Sequence, residues 1–141
     1  MRIKIQPADR WFSLCNRIHH DWTCQMCGTQ KQPGSNGLHT AHIFSRRHRA
    51  TRWMPSNVLS LCFGCHSKFD ADHELHREFA VKQLGIDLYD NLNGLRNRVV
   101  KVSKKDQADI ARFYRELACT MKRGDRLPQC PAVTELTRAD P

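Results

Sequence analysis

Two short segments, Cys24-Gln25-Met26-Cys27-Gly28 and Cys62-Phe63-Gly64-Cys65-His66, bracket Leu38-His39-Thr40-Ala41-His42-Ile43 and an arginine-rich loop. A two-residue gap lets both thiolates of a CxxC pair reach one tetrahedral ion, and two pairs complete a four-sulfur site with no open position. Cys24, Cys27, Cys62 and Cys65 are therefore expected to hold a structural zinc ion. The zinc would be scaffold, and any chemistry falls to the histidines beside the pairs, His39, His42 and His66.

Outward from this stretch, Lys31 to Gly37 has turn composition, and Leu38 to Phe44 reads as a strand with Leu38, Thr40 and His42 on one face and His39, Ala41 and Ile43 on the other. Ser45 to Trp53 carries Arg46, Arg47, Arg49 and Arg52 without an acid, which suits contact with a phosphate backbone. Val58 to Leu61 is a short apolar strand or a helix entry. Past His66 the pattern is helical to about Leu84, with Gly85 as the stop.

Before the first pair, Asp9 can cap a helix whose apolar positions are Trp11, Leu14, Cys15 and Ile18, ending near His20. Leu88, Leu92, Leu95 and Val99 suggest a further helix weakened by Asn91, Asn93 and Gly94. Ser103-Lys104-Lys105-Asp106 is a capping signal for a firmer one that stops at Gly124. The expected organisation is α+β: an N-terminal arm and helix over 1–23, a zinc-stapled core over 24–84, a helical extension over 85–124 and a loosely ordered tail over 125–141.

The 141 residues suit one domain. A formal charge of +9 and a sequence pI near 9.5 point to a polyanionic partner, nucleic acid first. No apolar run approaches a membrane span and no signal segment is evident, so a cytoplasmic, reducing setting is expected. Seven cysteines are an odd count for a disulfide framework, which favours zinc; Cys15, Cys119 and Cys130 receive no role.

Phosphodiester hydrolysis needs a base to deprotonate water and a cation to stabilise charge on the phosphate. His42 is the candidate base, His66 a ligand for a catalytic Mg²⁺ or Mn²⁺, and Asn57 an orienting group for His42 or its loop.

Cys24-x-x-Cys27, Ala41-His42-Ile43, Asn57 and Cys62-x-x-Cys65-His66 resemble the HNH, or ββα-metal, endonuclease finger. More narrowly, Ala8-Asp9-Arg10-Trp11-Phe12-Ser13, Gly28, His42-Ile43-Phe44-Ser45-Arg46, Thr51-Arg52 and Asn57 look like the phage NinG/Rap recombination nucleases, with weaker likeness to about Ala118. The resemblance implies a metal-dependent DNA endonuclease acting on branched intermediates such as Holliday junctions and D-loops. It departs at Ala41, where many HNH fingers place a metal ligand. His39, two residues earlier on the same strand face, can reach toward the catalytic ion in its place; the alternative is that His39 hydrogen-bonds near the cysteine knuckle or joins the zinc shell. Two other functions compete: a catalytically silent zinc module that binds DNA, and a sequence-specific restriction or homing nuclease. Paired nicking across a junction would favour a homodimer.

Overall fold

The structure is a computed structural model and describes residues 3–138. Helix α1 spans Pro7–His19; its start is fixed by Pro7 in the first turn and by reciprocal capping between Gln6 and Asp9. Of the first residues, expected as a strand or a basic arm, Ile3 to Gln6 form no strand, and Met1 and Arg2 lie outside the described residues.

Strands β1 (Leu38–His42) and β2 (Val58–Cys62) pair antiparallel, with His39 opposite Leu61 and His42 opposite Val58. Helix α2 (Phe63–Ala71) follows β2 directly. The remaining helices are α3 (His73–Leu84), α4 (Ile86–Arg96), α5 (Lys104–Thr120) and α6 (Pro131–Leu136). Among the described residues the sheet has two strands, so the fold is α+β as expected.

One long helix to Leu84 was expected, and the chain instead breaks at Asp72. Its carboxylate accepts from the Glu74 and Leu75 amides at 3.0 and 3.2 Å, because aspartate gains more as an N-cap than inside a helix. The break turns α3 so that Phe79 and Ala80 enter the core and His76 Nε2 donates to the Ile43 carbonyl at 2.8 Å. Gly85, at φ +84°, ends α3 and starts α4 in a backbone region that side chains disfavour.

Two apolar clusters result. The first joins the hairpin to α2, α3 and α4 through Leu38, Ala41, Leu59, Leu61, Phe69, Phe79 and Leu92. The second joins α1 to α5 and the C-terminal segment, with Phe12 and Tyr114 in edge-to-face contact at 5.0 Å. Helix α1 serves both, since Leu14 and Ile18 pack on the first while Ala8, Phe12 and Cys15 belong to the second.

The segment from 125, expected to be loosely ordered, is tied down over its described part. Leu127, Cys130 and Val133 are buried, and the Tyr114 hydroxyl donates to the Pro128 carbonyl at 2.9 Å and accepts from the Cys130 amide at 3.1 Å. Pro131 is the first residue of α6 rather than a breaker. Among the described residues, no helix is long and apolar enough to cross a membrane.

Candidate active site and metal centre

Cys24 and Cys27 sit in a tight turn closed by Gly28 at φ +77°, with the Gly28 amide on the Cys24 carbonyl at 2.9 Å. Cys62 ends β2 and Cys65 lies in the first turn of α2. The turn is sewn to β2 by Gln25, whose amide donates to the Ser60 carbonyl at 2.8 Å and whose side-chain oxygen accepts from the Ser60 amide at 2.7 Å. The four Sγ atoms lie within 4.8 Å of one another, and Cys27 to Cys62 is 3.8 Å. A tetrahedral ion with metal–sulfur bonds of about 2.3 Å would space its sulfurs by roughly 3.8 Å, so the cluster fits a structural metal such as zinc. Thr29, 3.2 Å from the Cys27 sulfur, pulls that thiol down to about 6, while burial first and the neighbouring thiols second push Cys65 up to about 12.

Gln25 covers the outer edge of β2, and β1 is the other edge of the two-stranded sheet. Helix α1 packs on one face of the hairpin and α2 on the other, and a cleft of about 670 Å³ runs along this edge between them. Strand alternation places His39 and His42 on opposite faces, yet both reach the cleft because it wraps the edge rather than one face.

His39 and His66 meet there, Nδ1 to Nδ1, at 2.9 Å. At that distance the two rings share a hydrogen bond; two nitrogens each about 2.1 Å from one ion at a right angle would also be about 3 Å apart, so the same spacing is compatible with a shared cation. His66 Nε2 faces Asp70 Oδ2 at 3.3 Å, one helical turn on. A carboxylate there holds the Nε2–H tautomer and leaves Nδ1 with its lone pair. Burial lowers the proton affinity of His66 and His39 adds to this, while Asp70 opposes it.

His42 is half-buried at the end of β1, and its Nε2 donates to the Arg52 carbonyl at 3.1 Å. That bond assigns the proton to Nε2 and leaves Nδ1 as the basic nitrogen. Burial lowers its proton affinity to about 4, partly offset by the Arg52 carbonyl and reinforced by Arg46. The ring is neutral at pH 7.

One sequence expectation is corrected and one is narrowed. Arg52 is not a phosphate contact: it is buried, with Nε and Nη2 on the two Asp9 carboxylate oxygens at 2.9 and 2.6 Å and Nη2 also on the Lys4 carbonyl at 3.0 Å. Asn57 is not at the cleft. It is fully buried, accepting from the Phe44 amide at 2.9 Å and donating to the Phe44 and Thr51 carbonyls at 2.9 and 3.0 Å. Of its two expected uses, orienting the loop is the one its bonds match. Together Asn57 and Arg52 fix the loop whose carbonyl holds His42. Arg46 lines the cleft, whereas Arg47 and Arg49 are exposed outside it.

The cleft also contains residues that the sequence reading missed, Asp70 on α2 and Arg10, Ser13 and Arg17 on α1. Arg17 stacks on Trp22 at 5.5 Å, and its buried Nε has no hydrogen-bond partner among the described residues. Their signal was available: 10, 13 and 17 form a polar stripe at helical spacing opposite the apolar one, and 70 follows 66 by four residues.

No protein-family model, no curated protein and no solved structure matches the chain.

Proposed function

We propose that the protein is a metal-dependent endonuclease that hydrolyses DNA phosphodiesters at the β1 edge, with a ββα-metal finger as its working unit. The observation that carries this reading is the convergence of a neutral, carbonyl-anchored imidazole (His42) and a cation-spaced imidazole pair (His39 and His66) in one arginine-lined cleft. The sequence resemblance to HNH fingers, carried by the same residues, agrees with it.

In this reading His42 Nδ1 takes a proton from water, and the water oxygen bonds to phosphorus as the bond to the 3′ oxygen breaks. That oxygen leaves with a proton from solvent, giving 5′-phosphate and 3′-hydroxyl ends. Arg10, Arg17 and Arg46 hold the phosphate in line. A divalent ion on His39 and His66 would supply Lewis-acid stabilisation of the charge on the phosphate oxygens. Two imidazole donors suit a softer divalent ion better than Mg²⁺. Branched recombination intermediates are the proposed substrates, on the NinG/Rap-like residues.

The test is incubation of the purified protein with a four-way junction and a linear duplex of the same sequence, with Mn²⁺ or Mg²⁺. Cleavage of the junction above the duplex, lost in His42→Ala, is the expected result. Equal nicking by wild type and His42→Ala would overturn the assignment.

A further inference from the structure

A second cleft of about 470 Å³ lies on the far side of Asp70, bounded by the end of β1, α3 and α4. Phe44 and Tyr89 form an aromatic pair at its floor, ring centroids 5.4 Å apart. Each ring carries a guanidinium, Arg96 4.9 Å from the Phe44 centroid and Arg77 5.7 Å from that of Tyr89. Arg96 Nε is buried and finds no hydrogen-bond acceptor among the described residues.

A guanidinium seated on an aromatic face is held in one orientation, which removes much of the entropy cost of binding a planar, two-oxygen acceptor. Two of them in one cleft suit an anion that brings its own oxygens. The one acid lining this cleft is Asp70, which lines the His42 cleft as well and there faces His66. Ile43 and Phe44, on this cleft's wall, directly follow His42 in the chain. A polyanion lying along the first cleft therefore passes Asp70 and meets the second.

We propose that this cleft binds the phosphodiester backbone of the same DNA strand beyond the phosphate at His42, with Arg77 and Arg96 as the phosphate-binding residues. The inference rests on the nuclease reading, and it adds a second seat outside the chemistry. A strand held at both seats must follow the path around Asp70, which selects DNA able to bend or branch there.

Binding of a fluorescein-labelled junction is followed by anisotropy from 50 to 200 mM KCl without added divalent ion, for wild type, Arg46→Gln, Arg77→Glu and Arg96→Gln. Each lost phosphate contact lowers the log–log salt slope by about 0.9. Arg77→Glu and Arg96→Gln are each expected to lower the slope by about one and weaken binding about tenfold at 100 mM. If wild type binds no DNA, the nuclease reading falls and this proposal with it. If wild type binds and Arg46→Gln weakens it while both other variants keep the wild-type slope, this proposal alone is overturned. Should Arg96→Gln fail to fold, Arg77→Glu, at an exposed position, decides the matter.

Discussion

Asp9 and Arg52 form a two-pronged ion pair with both side chains about 6% exposed, joining the first turn of α1 to the loop that covers His42. The Trp53 indole donates to the same carboxylate at 3.1 Å, so Asp9 has no spare capacity to find another partner. Removing one member of a buried pair strands the other charge, typically at a cost of about 3 to 5 kcal/mol. Arg52→Ala is expected to lose that much stability in urea denaturation, and Arg52→Lys to recover only part of it, since lysine cannot make the two-pronged contact. A change below about 1 kcal/mol for Arg52→Ala would mean the pair is not what holds the loop.

The sulfur cluster makes a compositional prediction. Purified protein should carry one zinc per chain by elemental analysis, and Cys24→Ser or Cys62→Ser should lose it together with the cooperative melt of the hairpin cluster. Structural zinc contributes roughly 10 to 16 kcal/mol in small zinc domains, more than most domains have to spare. Zinc retained at wild-type stoichiometry in either variant would count against a four-sulfur site.

His39, His66 and Asp70 predict a second, weaker cation site. Titration of Mn²⁺ into zinc-loaded protein by calorimetry should show one site that His39→Ala or His66→Ala abolishes. Asp70→Asn should weaken it about 10- to 100-fold by loosening the tautomer of His66. Unchanged Mn²⁺ affinity in His66→Ala would remove the imidazole pair from consideration.

Burial sets the pH behaviour of His42. Its proton affinity in the folded state is lowered from 6.5 to about 4, so between these values the unfolded chain binds the proton and the folded chain does not. Stability conferred by this site is therefore complete above about 6.5 and drains away as pH falls toward 4. Wild type should lose stability relative to His42→Gln across that window. DNA cleavage should show no acid limb between pH 6 and 8, because the base is already neutral there. A cleavage limb near 6.5 would place the active base elsewhere.

Much of this could be read from local spacing. The CxxC pairs, the Ser103 and Asp106 capping box with reciprocal bonds at 3.0 Å, and the positive-φ glycines 28 and 85 are all decided within a few residues of chain. Strand period puts His39 on the Ala41 face, but its meeting with His66 depends on how α2 packs against that face, which period does not fix. Long-range pairing was not legible. Arg52 looks like its neighbours Arg46, Arg47 and Arg49 until the fold brings Asp9 to it, and Asn57 looks like a site residue until its amide is seen spent on Phe44 and Thr51. The tail was misjudged because prolines were weighed as breakers, while Leu127, Cys130 and Val133 are too sparse to show a period.

The cleft's two walls belong to different apolar clusters, α2 to the hairpin's and much of α1 to the one shared with α5. They are thus candidates for separate cooperative units, and amide hydrogen exchange should tell them apart. Stripping the metal would speed exchange at Leu59 and Leu61 and spare Ile110 and Tyr114. Such a molecule would lose one wall of its cleft to a chelator while the helical signal of α1, α5 and α6 persisted, so circular dichroism alone would be a poor witness to the state of the cleft.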